Sequence, residues 1–345
     1  MKKILNKKVI IIFFILISII FIIFAFKNKD NKKDKLNLKG KHLTVYVAMR
    51  EEEAISLLEK FKKETGCTYE FIKLPTEEAV NKILAEKGKS SGDIFIGGSC
   101  DAYEVLKSHG ALAKYKSPNS NDIQAKYKDP DSYWTGFQVD VLAIGINKKI
   151  WDKDFKSKGI SLPKTFDDLL QKEYKGKIIM PNPETSGTGY TFLASLYQEL
   201  GKDKYKEYLS KFTENVPAYT VSGFNSIQRV SSGEYAVTVN FLGDQLLQSK
   251  FNKDIISIVP KNTGWNVDSI AELKNCVNKE AAESFIDFIL SQEVANNLSN
   301  YSKATSTKQA NNNIYNTIFL DYDFNKAAMN RDEIMNIFNK NVYKQ

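Results

Sequence analysis

From residue 42 onward the chain alternates short β-rich runs with amphipathic segments at helical spacing, and this alternation restricts the fold more than any other feature. The first run, His42–Ala48, precedes the helical pattern Glu51–Thr65, which Gly66 ends. Two more pairs follow, with strands predicted at 69–74 and 93–96 and helices at 79–87 and 102–109. Strands separated by helices form a mostly parallel sheet with helices on both faces. The sequence therefore predicts an α/β fold.

The alternation starts again after the β-rich run at residues 139–147. The predicted order there is helix 166–170, strand 177–180, helix 189–200, strand 236–241, strand 255–259 and helix 279–291. A chain of 345 residues exceeds the size at which one core usually stops growing. We therefore predict two lobes, with chain crossings near 137–147 and 250–260. Residues 41–138 and 256–345 form the first lobe, and 139–255 form the second.

The N-terminus carries an unbroken run of 18 residues, 9–26, that is apolar apart from Ser18 and follows four lysines. This is the layout of an export signal or a membrane anchor. Residues 24–27 (FAFK) lack the small-residue pattern of a cleavage site. We therefore expect residues 1–26 to be a single-pass transmembrane anchor, with the folded part outside the cytoplasm. A signal cut at an unusual site is the alternative.

The charge of the chain is concentrated next to that apolar run. The formal net charge is +8, but residues 1–35 hold nine lysines and two aspartates, so the rest has 40 basic and 39 acidic residues. Residues 27–40 are predicted to be a polar stalk. A nucleic-acid-binding protein carries its basic excess on the folded domain. We therefore expect no nucleic-acid partner.

The three cysteines, Cys67, Cys100 and Cys276, are too few and too widely spaced for a disulfide framework or a metal cluster. We expect thiols, although one pair could bond outside the cell. The two histidines, His42 and His109, are poor material for a catalytic triad or a zinc site. No phosphate-binding GxxxxGK[ST] or dinucleotide-binding GxGxxG is present. We predict no catalysis, no cofactor and no metal.

The most informative segment is residues 181–190 (PNPETSGTGY), between a predicted strand and a predicted apolar helix. Ser186, Gly187 and Thr188 lie at the helix N-terminus, where unpaired N–H groups, hydroxyls and the helix dipole favour an anion. A phosphate or carboxylate fits such a turn. An ordinary N-cap with turn glycines is an equally good interpretation.

Other predicted strand ends carry similar residues. Ligands of open α/β sheets bind outside the carboxyl ends of the strands, so these loops are expected to meet across a cleft. Arg50 is a candidate countercharge, with a solvated arginine as the alternative. Trp134, near the first crossing, is a candidate for the cleft wall, with a core position as the alternative. The remaining candidates are Ser99, Ser222, Asn240 and Asp244.

Five segments together resemble the ABC-transporter solute-binding proteins of the ferric-iron and hexose-phosphate class. They are GDIFIGGSCDAYEVLKSHGALAKYKSPN, YWTGFQVDVLAIGIN, LPKTFDDLLQKEYKGKIIMPNPETSGTGYTFLASLYQELG, SGFNSIQRVSSGEYAVTVNFLGD and EAAESFIDFILSQEVANNL. The resemblance covers about residues 42–310. It implies the type II periplasmic-binding-protein fold, in which two mostly parallel-sheet lobes joined by two hinge strands close on a ligand.

Within this class the resemblance favours a phosphorylated ligand. Iron binders carry a paired-tyrosine motif where this chain reads Asn240-Phe241-Leu242-Gly243-Asp244, and ferric iron needs anionic oxygen ligands. The sugar-phosphate and organophosphonate branch is more similar, since it carries SGTGYT and a Phe-Leu-His-Asp motif. By resemblance, Ser99 and the Ser186–Thr188 turn hold the phosphate, and Asp244 accepts hydrogen bonds from hydroxyls. Gly243 stands in place of the histidine, and the branch's glutamate has no clear counterpart in KNTGWN, so the organic part of the ligand is open.

The expected function is capture of a small phosphorylated anion by hinge closure, as a monomer, for delivery to an ABC permease. One alternative is a ligand-sensing accessory protein for a membrane two-component sensor kinase, which an uncleaved anchor would suit. The other is a ferric-iron-binding protein. An enzyme is the least favoured class.

Overall fold

The computed structural model describes residues 36–87, 91–301, 305–308 and 321–342. The predicted transmembrane anchor and most of the predicted stalk lie outside these ranges. Within them, every helix is too short or too polar to cross a bilayer.

Three strand–helix units open the first sheet, in the predicted order. They are β1 His42–Ala48, α1 Glu51–Thr65, β2 Thr68–Lys73, α2 Thr76–Ala85, β3 Ile94–Ser99 and α3 Cys100–Ser108. The strand β1 lies between β2 and β3 and is parallel to both. The inner strands β1 and β3 are apolar and almost wholly buried, whereas β2 at the edge is largely exposed.

The long strand β4, Thr135–Asn147, is shared by two sheets, and all 13 of its residues are buried. Its first half, through Val141, pairs with a strand of the first sheet, and its second half, from Leu142, pairs with strands of the second. The chain therefore passes from the first sheet to the second between Val141 and Leu142.

Between β4 and the return to the first sheet, the second lobe contains four strands and five α-helices. They are α4 Lys148–Asp154, β5 Ile178–Pro181, α5 Gly187–Leu200, α6 Lys202–Phe212, β6 Ala218–Thr220, α7 Gly223–Ser231, β7 Val237–Phe241, α8 Leu242–Ser249 and β8 Ile255–Ile258. The strand β5 is parallel to β6 and β7, whereas β7 and β8 run antiparallel to β4. The predicted helix at 166–170 is a 3₁₀ turn, Asp167–Leu170.

The chain returns to the first sheet between β8 and the strand β9, Trp265–Glu272, which runs antiparallel between β3 and β4. The predicted end of the second lobe, residue 255, falls at the start of β8, which still pairs with the second half of β4. The sequence does not predict the strand β9, because the polar residues Asn266, Asp268 and Ser269 interrupt its apolar pattern. We propose that the second lobe extends to about residue 259.

The C-terminal helices pack against both lobes. The helices α9 Lys279–Ile289 and α10 Gln292–Tyr301 cover the first lobe, where Phe285 packs edge-on against Phe61 at 5.0 Å. The short strand β10, Thr305–Ser306, adds to β4. The helix α11, Phe324–Met329, packs on α3, and α12, Arg331–Val342, packs on α5 and α6 of the second lobe. The predicted assignment of all of 256–345 to the first lobe is thus corrected for α12.

Candidate functional site

A cleft with a cavity volume of about 400 Å³ lies between the two sheets and takes its walls from both. Residues at or just before the first turns of six helices line it: α1, α2, α3, α5, α7 and α8. Each helix N-terminus has unpaired N–H groups and a partial positive charge. The first turns of α5 and α7 contain no acidic residue, so these two N-termini are the best placed of the six to attract an anion.

The first-lobe wall and the second-lobe wall meet closely at Gly187. A Cβ on Gly187 would lie 2.6 Å from the Ser99 hydroxyl and 3.1 Å from the Thr76 hydroxyl. A Cβ on Gly223 would lie 2.7 Å from the Thr188 hydroxyl. Only glycine leaves room at these two positions. Three hydroxyls and two bare stretches of backbone thus form a small polar cradle, which we call the anion cradle: Thr76, Ser99, Gly187, Thr188 and Gly223.

The turn that presents Ser99 depends on two glycines. Gly97 and Gly98 have φ values of +80° and +74°, and Gly98 packs against Thr76 so tightly that a Cβ would lie 2.9 Å from its methyl carbon. Side chains rarely adopt this backbone conformation. The sequence predicts these glycines as a loop after a strand ending at residue 96. The structure instead continues β3 to Ser99, with an irregular register against β9 between Ile96 and Ser99.

Ser186 and Ser222 are N-caps, and both also line the cleft. The Ser186 hydroxyl accepts a hydrogen bond from Gly189 N at 3.5 Å, and the Ser222 hydroxyl accepts one from Asn225 N at 3.4 Å. The capping interpretation of the Ser186 turn is therefore confirmed, and Ser222 caps α7 in the same way. Capping also fixes the start of α5 and α7, so the backbone N–H groups of their first turns face the cleft.

The other end of the cleft is acidic. Four carboxylates, Glu53, Asp140, Asp244 and Asp268, lie there with the single guanidinium of Arg50. Burial raises the pKa of Asp140 to about 7, with a further increase from the neighbouring Asp244. Burial, together with Asp140, raises the pKa of Asp268 well above its usual value, and burial also raises the pKa of Asp244. We call these five residues the acidic end.

Arg50 joins the two lobes across the cleft. Its Nη1 donates to Asp244 on α8, and its Nη2 donates to Glu53 at 2.7 Å. Burial alone lowers the pKa of Arg50, but Asp244 and Glu53 outweigh it and raise the pKa above its usual value. The prediction of Arg50 as a countercharge in the cleft thus places it correctly, but its charge is already matched by the protein's own carboxylates.

Seven of the nine predicted site residues line the cleft: Arg50, Ser99, Ser186, Gly187, Thr188, Ser222 and Asp244. Asn240 does not. It is fully buried, and its Nδ2 donates to the Gly223 carbonyl at 3.1 Å while its Oδ1 accepts from Gln245 at 2.9 Å. Asn240 therefore positions the start of α7.

Trp134 also lies away from the cleft, so its predicted place there is wrong. Its ring is buried and packs edge-on against Phe324 at 6.3 Å, and its Nε1 donates to Glu104 at 2.8 Å. The alternative interpretation, a core aromatic, is correct. Trp265 likewise packs against Phe324, at 5.0 Å.

The sequence interpretation missed several cleft residues, including Thr76, Gln138, Asp140 and Asp268. Thr76 follows the end of β2, so the strand-end rule that found Ser99 would also have found it. Gln138 and Asp140 were hidden inside the apolar run of β4. No signal pointed to Asp268, because β9 itself was not predicted.

No group of three or more His, Cys, Asp or Glu in the described ranges is arranged to hold a metal ion. The three cysteines are all free: Cys67 and Cys100 are buried, and the half-buried Cys276 thiol donates to Asp93 at 3.2 Å.

Residues 89–330 match the family model described as bacterial extracellular solute-binding protein. The chain belongs to this family. This match, together with solved structures of a fructose-6-phosphate-bound and a ferric binding protein, confirms the predicted α/β binding-protein fold and the resemblance to the iron and sugar-phosphate class. The solute-binding protein is 27% identical over 263 residues to an uncharacterised protein of Haemophilus influenzae, which covers 74% of this chain and 75% of that one.

Two solved structures show the same fold. The periplasmic binding protein AfuA from Actinobacillus pleuropneumoniae, with exogenous fructose-6-phosphate bound, is 25% identical with a TM-score of 0.83. The match covers 89% of the solute-binding protein and 100% of AfuA. The ferric binding protein from Campylobacter jejuni is 22% identical with a TM-score of 0.74, covering 87% and 99% of the two chains.

Proposed function

We propose that this solute-binding protein captures a small phosphorylated anion and delivers it to an ABC permease. One observation carries the proposal, namely the anion cradle with its surrounding helix N-termini. Helix N-termini with free N–H groups and nearby hydroxyls bind phosphate oxygens well. AfuA, which shares the fold at 25% identity, holds fructose-6-phosphate. The closing motion would bring Ser99 of the first lobe and Gly187 of the second onto the same anionic group.

Ferric iron is a poorer match to this cleft. Iron of this charge prefers anionic oxygen donors such as phenolates. Among the described residues that line the cleft there is no tyrosine and no histidine. Two of the four carboxylates at the acidic end, Glu53 and Asp244, are paired with Arg50. The anchor over residues 1–26, the sensing alternative that depends on it, and the monomeric state all stay predictions.

The proposal is tested by ligand-induced thermal stabilisation, with phosphate monoesters and phosphonates in one arm and ferric salts in the other. We expect the phosphorylated compounds to raise the melting temperature in proportion to their affinity. Stabilisation by iron alone would contradict the proposal.

A matched pair of glycine substitutions locates the binding site. Gly187→Ala places a methyl group 2.6 Å from the Ser99 hydroxyl and fills the cradle, so we expect at least a 10-fold loss of affinity for phosphate esters, measured by calorimetry. Gly243→Ala is the control, because a Cβ there meets nothing within 4 Å. Equal affinities of the two variants would show that the anion binds elsewhere.

A further inference from the structure

Three polar side chains share one face of the sheet at the floor of the acidic end. Gln138 and Asp140 are two residues apart on β4, and Asp268 of β9 is the register partner of Gln138. Alternate residues of a strand, and directly opposite residues of neighbouring strands, lie on the same face. All three line the cleft. They form a group that we call the acceptor floor.

Arg50 is the cation that acts on Asp140 and Asp268, but it is paired with other carboxylates. The Arg50 guanidinium is bonded to Asp244 and to Glu53. In the part of the chain that the structure describes, Asp140 and Asp268 form no ion pair with a lysine or arginine. Gln138 Nε2 donates to Asp140 Oδ1 at 3.1 Å. The two aspartates therefore offer carboxyl groups to the cleft that have no cation partner of their own.

Gln138 supplies an independent sign that something binds here. The residue is only 4% exposed, and its Oε1 has no hydrogen-bond donor among the described residues. Its Nε2 already faces Asp140, so the free oxygen is an acceptor. A buried acceptor without a donor costs free energy, and such an atom at the wall of a cavity indicates that a ligand group fills the need.

An ammonium group satisfies the acceptor floor better than a hydroxyl does. It offers three N–H donors and a positive charge, whereas a hydroxyl offers one donor and no charge. Charge-assisted hydrogen bonds to carboxylates are also about twice as strong as neutral ones. The acceptor floor presents three acceptor groups, Gln138 Oε1 and two carboxylates, which matches the donors of one ammonium group.

We infer that the ligand is a zwitterion, with a phosphate or phosphonate held by the anion cradle and a primary ammonium group held by the acceptor floor. This inference rests on the proposed function, because it assigns the second group of a ligand whose first group is the anion. Aminoalkyl phosphates, aminoalkyl phosphonates and amino-sugar phosphates have this chemistry. Simple sugar phosphates lack it.

Calorimetry on two matched pairs tests the inference: 2-aminoethyl phosphate against 2-hydroxyethyl phosphate, and glucosamine-6-phosphate against glucose-6-phosphate. We expect the amine member of at least one pair to bind 10-fold or more tightly than its alcohol. Alcohols that bind as tightly as their amines would overturn the inference and leave the proposed function standing. Absence of binding by all four compounds would contradict both.

Two substitutions assign the effect to the acceptor floor. Asp268→Asn and Asp140→Asn each keep the side-chain shape and remove a charge, so we expect the amine-to-alcohol affinity ratio to fall at least 5-fold in both. Asp203→Asn, on the exposed surface of α6, is the control and should leave the ratio unchanged. An unchanged ratio in both floor variants, with binding retained, would show that the preference arises elsewhere.

Discussion

At the scale of single residues, the cleft is organised by a contrast between its two ends. The anion cradle carries no formal charge, and its affinity for anions comes from backbone N–H groups and hydroxyls. The acidic end is crowded with carboxylates whose ionisation is opposed by burial and by one another. Arg50 reduces the repulsion among these carboxylates, because it pairs with Glu53 and Asp244.

Removal of Arg50 should therefore destabilise the protein. Arg50→Met leaves Glu53 and Asp244, whose side chains are 4% and 13% exposed, without their cation. Loss of one partner of a fully buried ion pair lowers the free energy of unfolding by about 3–5 kcal/mol. Because this pair lies at the wall of the cleft, where water can reach it, we expect a smaller loss of about 2 kcal/mol. Urea denaturation should show the loss. Arg229→Met is the control. Arg229 and its partner Glu234 are both about half exposed, and such surface ion pairs contribute about 0–1 kcal/mol.

Asp140 should make the stability of the unliganded protein depend on pH. Its pKa is about 7 in the folded protein and 3.8 ordinarily, so the folded state holds more protons than the unfolded state between these values. The free energy of unfolding therefore falls as the pH rises from about 4 to about 7, by at most about 1.4 kcal/mol per pH unit for this group. The charged groups that face it are Arg50, Glu53, Asp244 and Asp268.

Denaturation curves at pH 5, 6 and 7 check this dependence, with Asp140→Asn beside the natural protein. Burial also raises the pKa of Glu272 to about 7, so part of the slope should survive the substitution. A slope that is identical in both proteins would show that Asp140 titrates near its ordinary value.

At the scale of elements, the helix α12 contacts the cleft indirectly, through the first turns of α2 and α3. Its first residue, Arg331, forms an ion pair with Glu77, lies 3.8 Å from the Asp101 carboxylate and stacks 3.8 Å from the centre of the Tyr190 ring. Glu77 and Asp101 are in the first turns of α2 and α3, whose N-termini face the anion cradle. Burial raises the pKa of both carboxyls and Arg331 lowers it.

Arg331→Gln should accordingly weaken the binding of phosphate esters. Without the guanidinium, negative charge on Glu77 and Asp101 opposes the ligand anion, and we expect roughly a 10-fold loss of affinity by calorimetry. The double variant Glu77→Gln with Arg331→Gln should recover part of it, which a purely structural role of Arg331 would not produce. The control is Lys326→Gln on α11, whose side chain is 70% exposed. Unchanged affinity in Arg331→Gln would remove α12 from the binding mechanism.

The sequence predicts strands and helices well where one kind of pattern dominates. The apolar runs of β1, β4 and β7 and the spaced apolar residues of α1 and α9 gave correct element types, and the strand-end rule located Ser99 and the Ser186–Thr188 turn. The sequence did not predict β9, because two polar residues break its apolar pattern. Asp268 lines the cleft, and Asn266 is buried and bonded to Asp101 and Thr191. The sequence also predicted the wrong position for Trp134, because a single aromatic residue near a crossing can face either the cleft or the core.

At the scale of the whole molecule, polar contacts join the two lobes. Arg50 bonds to Asp244 across the cleft, and Glu77 N donates to Thr185 O at 3.2 Å between the lobes. Asn266 Nδ2 on β9 also donates to Asp101 at 2.7 Å and to Thr191 of α5 at 2.8 Å. These polar contacts connect the two lobes across the cleft.

Weakening these interlobe contacts should enlarge the molecule. Asp244→Ala removes the partner of Arg50 on the second lobe, so we expect a larger radius of gyration without ligand, measured by small-angle X-ray scattering, and compaction when a phosphate ester binds. Asp203→Ala should scatter like the natural protein. A radius of gyration equal in all three would show that other contacts alone keep the lobes closed.

The position of β9 has a consequence for the order in which the molecule assembles. In the first sheet, β9 lies between β3 and β4, and β9 is synthesised only after all the strands of the second sheet. Pairings between residues so distant in sequence form slowly, because the loop must close before the contacts stabilise it. We expect a nascent chain that ends before residue 265 to lack a complete first sheet, so the sheet whose strands are synthesised first is the last to be completed.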